Sequence, residues 1–323
     1  MIGLTLLLVI VGLAAFTQWK AADIAARFPP QGRFVDVDGG RLHYTERAAI
    51  GTERAVVVLL HGASGSQADI MLPLGDRLAQ AGFRVLAFDR PGHGWSDRPG
   101  GRADASPRRQ AQLIAQAAHN LGVSRAIVAG HSMAGAAATN LAIEHKDFTA
   151  GLVLIAPATH PWPGGIVWYY SLAATPVIGD IFTHLFTLPA GLASLESGLQ
   201  SVFAPNPSAP DYFNRTGGAL LLRPSEFTAN AQDVAALEAF VTVQAPRLKE
   251  IEAPTAIVTG DSDAIVLTRI HSYGSARDIP GATLRVLPGV GHSPHWVHPE
   301  VVVEAVELVA ERAAAKSPGL VYR

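Results

Sequence analysis

The chain of 323 residues contains no cysteine. Disulfide scaffolds, thiol nucleophiles and thiolate metal sites are therefore excluded. It also lacks a charge imbalance. Twenty-five Lys and Arg stand against 27 Asp and Glu, a formal net charge of −2. Nothing in that balance calls for nucleic acid, and no such partner is expected. Charged residues are sparse at 16%, while 49% of the chain is hydrophobic. No internal repeat or low-complexity tract is present. A chain of this length holds one large α/β domain with an inserted lid, or two domains.

The N-terminus is different in kind. From Met1 to Phe16 it is almost wholly apolar, and Thr17, Gln18, Trp19 and Lys20 follow. Helical through Trp19, the run spans about 28 Å at ~1.5 Å per residue, close to the ~30 Å hydrocarbon core of a bilayer. Trp19 suits the interface and Lys20 can snorkel there. A cleaved signal peptide is the rival reading. Against it stand the missing Lys or Arg before the apolar run and the missing small-x-small cleavage site. An uncleaved single span through residues 1–19 is expected, with a secreted or periplasmic product under the rival reading. Lys20, Arg27 and Arg33 follow the span, which favours a cytoplasmic body, although whole domains translocate largely regardless of charge. The side of the membrane stays open.

Phe28-Pro29-Pro30-Gln31-Gly32 reads as a stiff linker. A hairpin is expected around Asp38-Gly39-Gly40. Beyond it, buried-type strands are expected near Val56–Leu60, Arg84–Phe88, Ala126–Ala129, Leu152–Ile155, Thr255–Thr259 and Thr283–Leu287. They alternate with helical patterns, which predicts an α/β fold: a mostly parallel sheet with helices on both faces. A last helix is expected from Pro299, with Val302, Val306 and Val309 on its apolar face.

Three of these strands end in residues with chemistry. Gly130-His131-Ser132-Met133-Ala134-Gly135 puts a serine between small residues at a strand-to-helix turn, the pattern of a nucleophile elbow. Asp261-Ser262-Asp263 follows the strand ending at Gly260. Gly291-His292 follows the strand ending at Leu287. The chain order is Ser, Asp, His. Upstream, the strand ending at Leu60 runs into His61-Gly62-Ala63-Ser64-Gly65, a loop able to offer backbone N–H groups to a developing negative charge.

These motifs resemble the α/β-hydrolase fold superfamily, the broad group that holds esterases, lipases, carbon–carbon bond hydrolases and cofactor-free haloperoxidases. The resemblance runs from about Gly32 onward. It rests on Leu60-His61-Gly62, Phe88 through Ser96 (Phe-Asp-Arg-Pro-Gly-His-Gly-Trp-Ser), Gly130-His131-Ser132-Met133, Gly260 through Asp263, and Gly291-His292-Ser293-Pro294-His295. One departure is Ala134, where the family's elbow usually carries glycine. The resemblance implies a serine hydrolase with Ser132 as nucleophile, His292 as general base and Asp263 as the orienting acid. Asp263, rather than Asp261, lies three residues past the strand-ending glycine. The backbone N–H groups of Ala63 and Met133 would form the oxyanion hole. A serine at the nucleophile position argues against haloalkane dehalogenase or epoxide hydrolase chemistry.

The resemblance also places a helical lid in the strandless stretch from His160 to Glu250, rich in Pro, Gly and aromatics. The expected segments are 1–20 anchor or signal, 21–31 linker, 32–159 first part of the core, 160–250 lid, and 251–323 second part. The lid aromatics favour a small-molecule ester with an apolar acyl or aromatic part. The same triad serves a thioester, a C–C bond or peracid formation as alternatives. A non-catalytic ligand-binding relative is the reading from another class, and the intact Ser, Asp and His set argues against it. His292, His295 and His298 recur every third residue, but Gly291, Pro294 and Pro299 oppose a regular helix there. No metal and no cofactor is expected. His61, His93, His131, Asp89 and Arg90 read as groups that brace loops. Nothing in the sequence sets the oligomeric state.

Overall fold

Short Val-, Ile- and Leu-rich runs with no polar face, bounded by turn residues, fit strands covered on both sides. In the computed structural model, which describes residues 2–316, they form one eight-stranded sheet. Met1 and residues 317–323, at the outer ends of the expected first and last segments, lie outside the described residues. The strands are β1 (Arg33–Val37), β2 (Gly40–Arg47), β3 (Ala55–Leu60), β4 (Phe83–Phe88), β5 (Ala126–His131), β6 (Thr149–Ile155), β7 (Thr255–Gly260) and β8 (Thr283–Leu287). Their order across the sheet is β1-β2-β4-β3-β5-β6-β7-β8. The hairpin β1–β2 is antiparallel and joins β4 antiparallel, and every other pairing is parallel. All the expected strands are present.

The helices in chain order begin with α1 (Ile2–Arg27), α2 (Gln67–Gln80), α3 (Pro107–Asn120) and α4 (Ala134–Glu144). Next come α5 (Trp168–Ala173), α6 (Ile178–Phe182), α7 (Leu188–Phe203), α8 (Tyr212–Thr216) and α9 (Pro224–Gln244). Last are α10 (His271–Asp278), α11 (Pro294–Val297) and α12 (Pro299–Lys316). Successive strand residues point to opposite faces. Val58, Leu60, Val128 and Leu154 therefore join Leu113 and Leu141 of α3 and α4 in one buried cluster. Val57, Leu59, Ile127 and Val153 join Leu74 of α2 and Val302, Val306 and Val309 of α12 in the other. This is a mostly parallel sheet with helices on both faces. Between β6 and β7 the described chain has no strand, and residues of α5 to α9 line one cavity together with residues at the carboxyl ends of β3 and β5.

The N-terminal helix departs from expectation at one end. The sequence predicts a linker over 21–31, but α1 continues through Arg27. Ala21, Ala22, Ala25 and Ala26 are strong helix formers, and no Gly or Pro interrupts before Pro29. The extension also gains a tertiary contact: Ile24 is fully buried against Leu188, Leu220 and Leu222. The preceding part of α1 leaves Leu4 through Val11 exposed. Gly3–Arg27 is long and apolar enough to cross a membrane, and 6% of its most apolar stretch is buried, which makes it a candidate anchor or signal.

Candidate active site

The carboxyl end of β5 fixes Ser132. Its φ is +54°, a left-handed conformation that costs a non-glycine residue about 1–3 kcal/mol. The turn is pinned where the Ser132 N–H donates to the Ile155 carbonyl at 2.9 Å and the Ala158 N–H donates to the Ser132 carbonyl at 2.9 Å. Small neighbours are a steric need. A Cβ on Gly130 would lie 2.8 Å from the Ala134 carbonyl oxygen, and one on Gly135 would lie 2.6 Å from Pro157 Cβ. The unusual Ala134 fits because the closest approach to Pro157 falls on the next residue, Gly135.

The structure brings the sequence-predicted trio together. The Ser132 hydroxyl donates to His292 Nε2 at 2.8 Å, and His292 Nδ1–H donates to Asp263 Oδ2 at 2.8 Å. All three residues are buried. The other Asp263 oxygen, Oδ1, accepts the N–H groups of Ile265 and Val266, each at 2.9 Å. That turn holds the carboxylate in one orientation. Asp261 faces elsewhere. It is exposed, and its Oδ1 accepts the Gly289 N–H and the Ser262 hydroxyl, both at 2.8 Å. Ala63 and Met133 line the same cavity as Ser132. Among the described residues no acceptor takes either backbone N–H.

The loop after β3 is held from below and from above. His61 Nδ1–H donates to the Gly62 carbonyl at 2.8 Å, while the Arg90 N–H donates to His61 Nε2 at 3.0 Å. Burial, aided by the Arg90 charge, pushes His61 down to about 4, which matches this neutral tautomer. Burial likewise carries His93 and His131 well below their ordinary value. His131 Nε2–H donates to the His292 carbonyl at 2.9 Å, tying the elbow to the histidine loop. Asp89 accepts the Gln67 and Trp95 N–H groups and His43 Nδ1–H.

Other contributors come from α9 and have no local signal in the sequence. Asn230 Oδ1 accepts the Ser64 N–H at 2.7 Å, holding Ser64 at φ +59°. Asp233 on α9 accepts from Arg90 and Arg98, each at 2.8 Å. Arg90 is 1% exposed. A buried charge stripped of its partner is costly, so Asp233→Ala should destabilise the fold by about 3–5 kcal/mol. Denaturant midpoints of the two chains measure this. A loss under ~1 kcal/mol, the worth of a surface pair, would show that Arg90 finds compensation elsewhere.

His292, His295 and His298 do not converge. His298 is partly exposed and pairs with Glu300 at 2.9 Å. A different set, Asp69, His131 and His295, lies with ligand atoms within 4.8 Å of one another. Asp69 accepts the Tyr212 hydroxyl at 2.5 Å and Trp296 Nε1–H at 3.0 Å, and His295 Nε2 stands 3.8 Å away. Burial works to raise the Asp69 carboxyl, but His295, His131 and the Tyr212 hydroxyl hold it below its ordinary range.

Over Ser132 opens a cavity of about 1100 Å³. Trp168, Tyr169, Tyr170, Phe182, Phe186 and Phe227 line it. Phe203 instead packs on Tyr212 and Trp296, with ring centroids 5.4 and 6.4 Å away. The described lining carries the carboxylates Asp69 and Glu226 and no Lys or Arg.

Comparisons with known proteins agree with this architecture. The chain is 28% identical over 258 residues to a 2-hydroxy-6-oxo-6-phenylhexa-2,4-dienoate hydrolase of Burkholderia cepacia, covering 75% of this chain and 82% of that one. Among solved structures, a bacterial membrane phospholipase A superposes with a TM-score of 0.68 at 24% identity over 97% of each chain. An N-acyl homoserine lactone degrading enzyme superposes with a TM-score of 0.62 at 26% identity, covering 85% of this chain and 99% of that one. Residues 55–299 match the model of the alpha/beta hydrolase fold family. That match spans most of the chain, and the protein belongs to the α/β-hydrolase fold family.

Proposed function

We propose that the protein is a serine hydrolase that cleaves neutral carboxylic esters with an apolar acyl or aromatic part. One observation carries the reading: a Ser132–His292–Asp263 relay linked by two 2.8 Å hydrogen bonds opens into an aromatic cavity without a described cation in its lining. Ser132 Oγ attacks the ester carbonyl carbon while its proton passes to His292 Nε2. Asp263 stabilises the imidazolium. The tetrahedral oxyanion accepts the N–H groups of Ala63 and Met133, each donor worth about 3 kcal/mol of barrier. The C–O bond breaks, and the leaving alkoxide takes the proton back from His292. A water then repeats the sequence on the acyl-enzyme and releases the acid.

Hydrolysis of a C–C bond is the second reading, favoured by the likeness to the dienoate hydrolase. That enzyme's named substrate carries a carboxylate. Here the described lining of the cavity holds no Lys or Arg to pair with such a group. The likeness to the lactone-degrading enzyme supports a neutral, acyl-bearing substrate.

A panel of p-nitrophenyl esters from acetate to palmitate, run beside 2-hydroxy-6-oxo-6-phenylhexa-2,4-dienoate, tests the reading. Turnover should favour longer acyl chains, since each buried CH₂ contributes ~0.8 kcal/mol, about fourfold in kcat/KM. Trp168→Ala or Tyr169→Ala should shift the preferred length and spare acetate. Turnover of the dienoate with none of any ester would transfer the assignment to the C–C reading.

A further inference from the structure

We propose that the outer face of the lid, from Val167 to Phe186, lies in the surface layer of a lipid bilayer beside α1. The cavity would then open onto the bilayer and take its ester from there, a clause that rests on the ester reading above.

The first observation is a rigid tie. α1 is not a loose tether: Thr17 and Ile24 are fully buried, and Ile24 is wedged among Leu188, Leu220 and Leu222 of the lid. The π-helical turn Thr183–Thr187 also packs on α1. Thr17 follows the bare apolar run Leu4–Val11 within about two helical turns and Ile24 within about four. If that run sits in hydrocarbon, the docked lid sits at the level of the membrane surface.

The second observation is the lid's own surface. Trp168, Val177, Ile178, Ile181 and Phe186 are 68%, 69%, 56%, 57% and 49% exposed. Val177, Ile178 and Ile181 lie at the start of and along α6, the helix that carries Phe182. Trp168 and Phe186 each contact the Phe182 ring, at 6.5 and 6.0 Å between centroids, and Phe186 lies on the turn that packs on α1. An apolar face of this kind on a soluble surface marks an interaction site. The sequence has no Lys or Arg between Lys146 and Arg215. The face is therefore suited to the acyl boundary rather than to an acidic partner. Exposed Trp19 on α1 and Trp168 on the lid match the aromatic belt of a membrane interface.

The third observation concerns access. Val167, Trp168 and Phe186 are exposed on this face and also line the cavity over Ser132. The apolar face and the cavity mouth therefore share apolar side chains, which an acyl chain entering from lipid would meet first.

The absence of cysteine permits a direct test. Full-length chains carrying Ile181→Cys, or Thr52→Cys in the exposed turn before β3, are labelled with an environment-sensitive fluorophore. They are then reconstituted in phosphatidylcholine–phosphatidylglycerol vesicles. The label at position 181 should be quenched by lipid bearing a nitroxide high on its acyl chain and shielded from aqueous iodide. The label at position 52 should show the reverse. Position 181 open to iodide in vesicle-bound protein overturns the proposal, as does position 181 shielded from both quenchers, the signature of a protein partner or a second copy.

An activity arm uses Ile178→Asp with Ile181→Asp, two exposed residues outside the cavity lining. Turnover of an ester carried in vesicles should fall about tenfold, while turnover of soluble p-nitrophenyl acetate is unchanged. Equal loss on both substrates overturns the proposal. If no ester is turned over at all, the ester reading fails while the quenching result still decides where the lid lies.

Discussion

Ser132→Ala should lower kcat by about 10⁶-fold on any ester the protein turns over, the loss a serine triad suffers without its nucleophile. The protein should stay folded. Ser132 is buried, but its hydroxyl donates only to His292 Nε2. The strained φ of +54° is no worse for alanine. A fluorophosphonate reagent should label the native chain once. Attack by Ser132 Oγ on phosphorus expels fluoride, and the proton goes to His292. The alanine variant should take no label. The two readouts separate the reading from its rivals. A non-catalytic ligand-binding relative would keep its ligand affinity unchanged and show no turnover before or after the substitution. A C–C hydrolase using the same serine would lose dienoate turnover equally. Label on another serine, or ester turnover surviving in Ser132→Ala, would sink the assignment of Ser132.

The central strands were legible because parallel strands covered on both faces have no polar alternation to blur them. β3, β5 and β7 carry mostly apolar residues and are buried at every residue. The candidate site was legible for a related reason. Its three side chains follow strand ends, and a strand end leaves a local mark: Gly130 before Ser132, Gly260 before Asp263, Gly291 before His292. What failed to show was non-local. Asp233 and Asn230 sit 143 and 166 residues from the Arg90 and Ser64 atoms they bind. Nothing in the helical pattern of α9 separates a carboxylate that meets a buried guanidinium from one that meets water. Asp69 was hidden in the same way, because its partners Tyr212 and Trp296 come from α8 and α11. The end of α1 was misjudged because Pro29-Pro30 marks where a helix must stop, not where a membrane-length run stops. The docking of Ile24 on Leu188, Leu220 and Leu222 depends on a surface that exists only after folding.

Asp263→Asn should lower kcat by about 10⁴-fold with little loss of stability, whereas Asp261→Asn should leave turnover nearly intact. The difference follows from which oxygens are already committed. Asp263 Oδ1 accepts two backbone N–H groups, from Ile265 and Val266. An asparagine here must point its carbonyl oxygen at those two donors, because its NH₂ would face them donor to donor. The NH₂ is then forced toward His292 Nδ1, where the carboxylate oxygen accepted at 2.8 Å. Facing a donor, Nδ1 gives up its proton and the ring takes the Nε2–H tautomer. That tautomer cannot accept the Ser132 proton, although every distance in the relay is kept. Asp261 has the opposite situation. Its Oδ1 also accepts two hydrogen bonds, from Gly289 and Ser262, but the residue is exposed and no group of the relay lies on its other oxygen. An asparagine carbonyl can take over both bonds, so the change should fall within about 0.5 kcal/mol of stability, as for surface substitutions generally. Turnover of one short p-nitrophenyl ester, with melting curves showing both variants folded, decides the matter. The reverse ranking would move the acid of the relay to Asp261, and equal small losses would leave His292 acting without an orienting carboxylate.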